Sequence, residues 1–345
     1  MSLRDEILEQ PAAVRRQLGA SSAPLDAVGR RVRDHGIESV VIAARGTSDH
    51  AAIYGQYLLG VRNRLSVGLA APSVISLYDV EPRLERSLVI GISQSGASPD
   101  IVAVVAAARR QGAPTLAITN DPTSPLASAA EVTLALEAGP ERAVAATKTY
   151  TTSLVALARL SVALDPVSAE ESTAMAGLPD AMAQALTADD AAAAAARDLA
   201  GADRCLVLGR GFEYATAREW ALKLKELARV FADPYSAADF LHGPVALVEP
   251  GVPALAVAPA GPTSPGLLEI LADLQGAGAD SVVVSDDPAA LALGRHALAL
   301  PADIPEWLRP VVSILPAQLL AYHLTRARGL DPDAPRGLAK VTRTF

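Results

Sequence analysis

The chain has 345 residues, of which half are apolar and a fifth are charged, so its composition is that of a globular protein long enough for two domains. Its net charge of −8 argues against a broad nucleic-acid surface, and it contains no run of about 18 apolar residues that would cross a membrane. The first seven residues carry acids where a signal peptide would be basic and then apolar, so we expect a cytoplasmic protein.

Cysteine and histidine give no sign of a disulfide or a metal site. The single cysteine, Cys205, cannot form an internal disulfide, and its apolar neighbours predict a core thiol rather than a nucleophile. The five histidines are scattered, and no two of them have the i, i+4 spacing of helical metal ligands. We therefore expect no bound metal.

Hydrophobic patterning divides the chain into five segments. In order, these are a helical lead-in (1–36), a first α/β domain (37–165), a helical connection (166–199), a second α/β domain (200–328) and a polar C-terminal tail (329–345). Both domains alternate short β-rich apolar runs with longer segments rich in alanine and leucine. This alternation predicts βαβ units and parallel sheets covered by helices on both faces.

The two domains also resemble each other in sequence. Gly46 corresponds to Gly211, and Gly96 corresponds to Gly261, at the same offset of 165 residues. Each of these glycines follows an apolar run that reads as a strand. The offset indicates that one supersecondary plan occurs twice in the chain.

Two loops rich in hydroxyl groups follow predicted strands of the first domain. Residues 45–50 follow the first strand, and residues 93–100 follow the strand at 87–92. Hydroxyls and free backbone N–H groups at a helix N-terminus favour a phosphate, although such serines can also simply cap the helix. No P-loop or Gly-x-Gly-x-x-Gly pattern is present, so we expect no nucleotide cofactor.

A helix in the second domain carries a possible acid–base group. Glu219, Lys223 and Glu226 are spaced i, i+4 and i+7, which places two carboxylates beside one ammonium on one face. A glutamate can move a proton between adjacent carbons while a lysine stabilises negative charge on oxygen. The alternative is an ordinary solvated ion-pair face.

Together these segments resemble sugar isomerase (SIS) domains, and their order resembles the isomerase half of glucosamine-6-phosphate synthase. The motifs are Glu6–Pro11, Gly46–Ser48, Ser93–Gly96, Ala146–Lys148, Ala221–Glu226, His242–Pro244 and Leu338–Lys340. The resemblance implies two SIS domains, each a five-stranded parallel sheet between helices in a flavodoxin-like three-layer sandwich. It also implies a homodimer that acts on hexose 6-phosphates.

Residue roles follow from the resemblance by position. It implies phosphate binding by Thr47, Ser48, Ser93, Gln94, Ser95 and Ser98, and sugar contact by Gly46, Val144 and Ala146. Glu226 matches the base that moves a proton between C1 and C2, with Lys223 and Glu219 as its neighbours. His242 matches a ring-opening histidine that reaches across the dimer, although a structural histidine before a Gly-Pro turn is the alternative. Lys340 matches a tail lysine that forms an imine with the open ketose.

The chain departs from the synthase pattern at three positions. Ala97 replaces an acid, Ala146 replaces a serine, and Leu241 replaces a lysine that often precedes the histidine. These changes leave the identity of the sugar open. The chain also shows no counterpart of the synthase's glutaminase, so we expect no tethered source of ammonia.

We therefore expect an aldose–ketose isomerase and deaminase that converts glucosamine 6-phosphate to fructose 6-phosphate and ammonia. Two alternatives use much the same residues: a deglycase for phosphorylated fructosamines, and an aminotransferase that uses free ammonia. An alternative of another class is a sugar-phosphate sensor without chemistry. Physiological direction, allosteric control and oligomer size beyond a dimer stay open.

Overall fold

The protein was analysed as a computed structural model that describes residues 2–340. These residues form two compact units. The first-sheet unit contains residues 12–141, 148–173 and 339–340. The second-sheet unit contains residues 2–11, 142–147 and 174–338, so the chain crosses between the units several times.

Among the residues described, the first-sheet unit is built on one five-stranded parallel sheet with the order β2-β1-β3-β4-β5. Its strands are β1 (Ser39–Ala43), β2 (Ser66–Leu69), β3 (Ser87–Ile92), β4 (Thr115–Thr119) and β5 (Val132–Ala135). Its helices are α2 (Ala23–Asp34), α3 (Thr47–Asn63), α4 (Ser73–Ser76), α5 (Pro99–Arg110), α6 (Pro125–Ala129) and α7 (Lys148–Leu164). Two helices, α1 (Leu3–Leu18) and α8 (Ala169–Ala176), have residues in both units.

The second-sheet unit repeats this topology within the described part of the chain, with five parallel strands in the order β10-β9-β8-β6-β7. Its strands are β6 (Arg204–Gly209), β7 (Phe231–Ser236), β8 (Ala254–Val257), β9 (Ser281–Ser285) and β10 (His296–Ala299). Its helices are α9 (Leu178–Ala185), α10 (Asp189–Asp198), α11 (Glu213–Lys223), α12 (Ala237–Phe240), α13 (Ser264–Gly276), α14 (Pro288–Ala292) and α15 (Arg309–Ala327). A π-helical turn, Leu224–Ala228, directly continues α11, and short 3₁₀ turns occupy Leu186–Ala188, Pro244–Leu247 and Glu306–Leu308.

Both sheets have the predicted parallel architecture, and the internal repeat is confirmed. Counted within its own unit, each sheet has the strand order 2-1-3-4-5. β3 is buried at all six positions, as expected for a strand covered by helices on both faces. Cys205 in β6 is also buried, and burial raises the pKa of its thiol to about 12. The core-thiol prediction is therefore confirmed.

Helices fill the segment between the two sheets, where α8, α9 and α10 follow one another. No helix within residues 2–340 is long and apolar enough to cross a membrane. The predicted tail is described only as far as Lys340, and its last five positions, 341–345, lie outside the described residues.

Candidate functional site

The two hydroxyl-rich loops lie at the same edge of the first sheet. β1 and β3 are parallel neighbours, with Ala43 paired to Gly91 near their carboxyl ends. The strand order reverses direction between β1 and β3, so the two loops flank the topological switch point, where ligands bind in open α/β sheets. The structure therefore brings the predicted phosphate-binding residues of both loops to one crevice edge.

The loop after β3 is folded by its own serines. The Ser93 hydroxyl accepts a hydrogen bond from the Gly96 backbone N–H at 3.2 Å, and Ser95 accepts one from Ala97 at 3.3 Å. Ser98 stands at the N-cap of α5, yet its hydroxyl makes no capping bond. Simple capping therefore does not account for this serine.

Glycine is required at the centre of this loop. Gly96 has φ +60°, and a Cβ at this position would lie 2.1 Å from the Ser124 hydroxyl oxygen. Its carbonyl also accepts a hydrogen bond from the Leu126 backbone N–H. The chain thus turns tightly here and presents the loop backbone to the crevice.

The loop after β1 leads into a second helix N-terminus at the same edge. Gly46 caps α3 with φ 54° and no side-chain cap bond, and Thr47 and Ser48 are the first helical residues. The positive ends of the α3 and α5 dipoles therefore point at this edge and favour an anion there.

An ion pair between these loops was missed by sequence reasoning. The Arg45 Nε lies 2.9 Å from the Asp100 carboxylate, which is fully buried in the first turn of α5. The Arg45 side chain is itself 49% exposed. It therefore joins the two loops and adds charged N–H donors to an edge whose other predicted ligands are neutral, while Asp100 compensates its charge. The only sequence signal was its place directly before Gly46.

The segment that carries Val144 and Ala146 belongs to the second-sheet unit. Its backbone is held by the buried carboxylate of Glu6, which accepts hydrogen bonds from the N–H groups of Arg142 at 2.6 Å and Ala143 at 3.3 Å. Val144 and Ala146 are both partly exposed. Their sugar contact stays a prediction.

The acid–base residues of α11 are not a solvated face. Glu219 and Lys223 are buried, and the Lys223 ammonium lies 3.3 Å from Glu219 and 2.5 Å from Glu226. The alternative of an ordinary surface ion pair is therefore wrong. Burial alone would lower the pKa of Lys223, but Glu219 and Glu226 outweigh it and raise that pKa. Lys223 thus stays charged between its two carboxylates.

Glu226 is the accessible member of this group. Its side chain is 23% exposed, whereas those of Glu219 and Lys223 are almost fully enclosed. It lies in the π-helical turn, a departure from α-helical geometry that is frequent at functional sites. One carboxylate can therefore reach a ligand while the ammonium behind it is held in place.

His242 lies on an exposed turn after α12. Its backbone N–H donates to Asp239, but within residues 2–340 its imidazole ring has no hydrogen-bond partner. The structure therefore does not support a hydrogen-bonded structural role. Among the described contacts, none joins His242 to the Glu226 group in one protomer.

The tail lysine is held by a buried carboxylate of the first-sheet unit. The Lys340 ammonium lies 2.7 Å from Glu141, whose side chain is fully buried. Glu141 also accepts hydrogen bonds from the backbone N–H and hydroxyl of Thr149 at the start of α7, at 3.0 and 2.8 Å. Sequence reasoning identified Lys340 but not Glu141.

The equivalent edge of the second sheet differs in chemistry. At the offset of 165, Ser48 corresponds to Glu213 and Ser95 to Ala260, which replaces two hydroxyls, whereas Ser98 corresponds to Thr263 and keeps one. Arg309 fills this edge, pairing with Asp286 at 3.2 Å and donating to the Ala260 carbonyl. Among the described residues, the edge of the first sheet therefore keeps more hydroxyls than that of the second sheet and is the better candidate for phosphate.

A cavity of about 420 Å³ opens beside Glu226 in the second-sheet unit. Besides Glu226, its lining contains Lys225, Arg229, Arg336 and two apolar or small residues. Among residues 2–340, no group of three or more acidic, histidine or cysteine side chains has an arrangement suited to a metal ion.

Comparison with known proteins agrees with the motif resemblance. Residues 36–163 and 198–327 match the model of the SIS domain. The glutamine–fructose-6-phosphate aminotransferase (isomerizing) of Pyrococcus horikoshii is 36% identical over 340 residues, which are 97% of this chain and 56% of the relative. The chain thus spans about half the length of the curated relatives that it matches.

Solved structures share the whole fold. A candidate phosphosugar isomerase from Silicibacter pomeroyi DSS-3 is 35% identical, with a TM-score of 0.85 over 96% of this chain and 100% of that one. The C-terminal domain of glucosamine-fructose-6-phosphate aminotransferase from Francisella tularensis is 27% identical, with a TM-score of 0.86 over 96% of this chain and 98% of that one. The resemblance predicted from the motifs is confirmed.

Proposed function

The chain belongs to the SIS-domain family, and on that premise we propose that it is a phosphosugar isomerase that acts on amino-hexose 6-phosphates. The proposed reaction converts glucosamine 6-phosphate and water to fructose 6-phosphate and ammonia. One observation carries the proposal: Glu219 and Lys223 are buried behind an accessible Glu226. A surface helix without chemistry has no need to bury these charges, because removing charged groups from water is costly even when they are paired.

The first-sheet edge supports recognition of the phosphate. Hydroxyls of both loops and the Arg45 guanidinium provide donors for the phosphate ester, and the α3 and α5 dipoles place their positive ends at the same edge. A phosphate monoester carries about −1.5 to −2 charges at neutral pH, which such donors can satisfy together. We assign Thr47, Ser48, Ser93, Gln94, Ser95 and Ser98 to this role.

Glu226 is the proposed base for the step at carbon. After ring opening, it takes the proton from C2 of the aldose and returns it to C1, and the amine at C2 becomes an imine. Water then adds to the imine carbon, and ammonia leaves as the ketone forms. Lys223 stabilises the negative charge that develops on oxygen, and Glu219 keeps Lys223 charged.

His242 and Lys340 have separate proposed roles. His242 moves the proton at the ring oxygen, and its unpartnered imidazole is suited to a proton transfer. Lys340 condenses with the ketone of the open ketose to form an imine, with loss of water, and Glu141 holds the lysine until that step. Both roles rest on the family resemblance and on these side-chain environments.

We further propose that His242 acts in the site of a second copy. Its loop exposes Leu241, Val245 and Leu247, which are 56%, 42% and 46% exposed, and a partner would cover these apolar groups. Mixing inactive H242N and E226Q proteins after partial unfolding should then restore about a quarter of the wild-type sites. Recovery of no activity, with both variants folded, would contradict a shared site.

The central test is release of ammonia by wild type and by E226Q. We expect wild type to release ammonia from at least one of glucosamine, N-acetylglucosamine, galactosamine and fructosamine 6-phosphates. E226Q should lose turnover by about 10²- to 10⁴-fold while it still binds fructose 6-phosphate, because general acid–base catalysis contributes about that much. E249Q, which removes an exposed carboxylate of the same unit, is the control. Binding without ammonia release by wild type would favour the sensor instead.

A further inference from the structure

The cavity beside Glu226 is strongly basic. Its lining carries the cations Lys225, Arg229 and Arg336, and Glu226 is the one acid among the described residues that line it. Glu226 shares the Lys223 ammonium with Glu219, so these three groups together carry one negative charge. The three cations are exposed, and none of them pairs with a carboxylate of residues 2–340. The described charged groups in and behind this cavity are therefore positive on balance, because three cations outweigh that one negative charge.

Arg229 occupies this cavity at a conformational cost. It ends the π-helical turn in the left-handed conformation, with φ 55° and ψ 40°, where glycine is the usual residue. For a residue with a Cβ this conformation is disfavoured, because the Cβ lies too close to the following carbonyl oxygen. The Arg229 backbone N–H donates to the Leu224 carbonyl and closes the turn, which fixes where the side chain leaves the backbone.

We propose that this cavity is a subsite for an anionic substituent on the substrate nitrogen, such as the carboxylate of an amino-acid conjugate of fructosamine 6-phosphate. The inference rests on the proposed function, because Glu226 then acts at C1 and C2. A group on nitrogen at either carbon lies within a few bond lengths of this carboxylate and can reach the cavity it lines. Arginine and lysine in the lining would pair with the substituent's negative charge.

A matched pair of ligands isolates the charge. The glycine and glycinamide adducts of fructosamine 6-phosphate have nearly the same shape and differ in one negative charge. We expect calorimetry at low salt to show about tenfold tighter binding of the glycine adduct by wild type, since each exposed pair contributes a few-fold at most. The ratio should shrink at 1 M salt, where the Debye length is about 3 Å.

Two glycine variants provide the matched comparison. R229G removes the charge and also relieves the left-handed backbone, so the variant should fold at least as well as wild type. R64G does the same at the end of α3, where Arg64 has φ 57° in the first-sheet unit. We expect R229G, but not R64G, to lower the glycine-to-glycinamide ratio about three- to fivefold.

The outcomes separate this subsite from the proposed function. Two results would overturn the subsite alone if the enzyme releases ammonia from glucosamine 6-phosphate. One is equal affinity for the glycine and glycinamide adducts, and the other is an affinity ratio that R229G leaves unchanged. No binding of either adduct by an active enzyme would also overturn it. Loss of the proposed function would appear as absent ammonia release from all substrates, while the binding ratio would still decide the subsite.

Discussion

Replacement of Glu213 by glutamine is expected to remove most of the pH dependence of stability of the second-sheet unit above pH 5. Glu213 begins α11 and is 4% exposed. One carboxylate oxygen accepts hydrogen bonds from the hydroxyls of Thr216 at 2.5 Å and Ser313 at 2.7 Å, and the other has no partner among residues 2–340. Burial raises the pKa of Glu213 to about 7. The two hydrogen bonds and the charge of Arg309 lower this pKa but do not outweigh burial, and the charge of Asp286 raises it further.

The sign of the effect follows from linkage. Because the folded-state pKa is above the ordinary value of 4.5, the folded protein holds the proton more tightly than the unfolded chain. The bound proton on Glu213 therefore stabilises the folded unit at low pH. This contribution to the free energy of unfolding declines as pH rises from 4.5 to 7 and is lost above about 7. At about 1.36 kcal/mol per pKa unit, the free energy of unfolding should fall by about 2 to 3 kcal/mol between pH 5 and 8.5.

Tryptophan fluorescence isolates this unit. The chain has two tryptophans, Trp220 and Trp307, and both belong to the second-sheet unit. Urea unfolding followed by their emission at pH 5 and 8.5 should show the decline in wild type and little of it in E213Q. The control E249Q should retain the wild-type decline. Equal pH dependence in E213Q and wild type would refute a raised pKa at Glu213.

Two predictions concern the first-sheet unit. G96A should destabilise this unit by about 2 to 4 kcal/mol and weaken fructose 6-phosphate binding, because the new Cβ meets Ser124 and the left-handed backbone disfavours alanine. Unfolding followed by circular dichroism would measure the loss of stability, and calorimetry would measure the weaker binding. The control is G68A, because a Cβ at Gly68 would meet open space. Equal stability and affinity of G96A and G68A would count against a tight turn at Gly96. E141Q should lower borohydride trapping of fructose 6-phosphate on Lys340 about tenfold, because the lysine loses the carboxylate that holds it. Mass spectrometry would measure the trapping, and affinity for the phosphate ester should be retained. Undiminished trapping would show that Glu141 does not position the lysine.

The sequence predicted the elements of the site that depend on nearby residues. The apolar run at residues 87–92 predicted strand β3, and the serines and glycine that precede a helix predicted the loop after it. The helical spacing of Glu219, Lys223 and Glu226 likewise predicted their contacts. Each of these features is decided within a few residues, where local periodicity is informative.

Pairs of distant residues could not be predicted in this way. Arg45 meets Asp100, 55 positions away, and Glu141 meets Lys340, 199 positions away. The cavity beside Glu226 likewise collects Arg229 from the helix end and Arg336 from the tail. No spacing rule links such residues, because the separation of two residues along the chain does not set their distance once the chain has folded.

By itself, the sequence determined the two parallel sheets, their repeat and the residue types at the strand ends, because side-chain periodicity and turn chemistry act locally. Tertiary structure alone decided that Lys223 is buried while Lys225 is exposed, although both lie on one helical segment. It also decided that the second sheet's edge is filled by Arg309 rather than left open for phosphate. Burial and charge compensation depend on which distant segments pack against a residue, and only the folded chain specifies those neighbours.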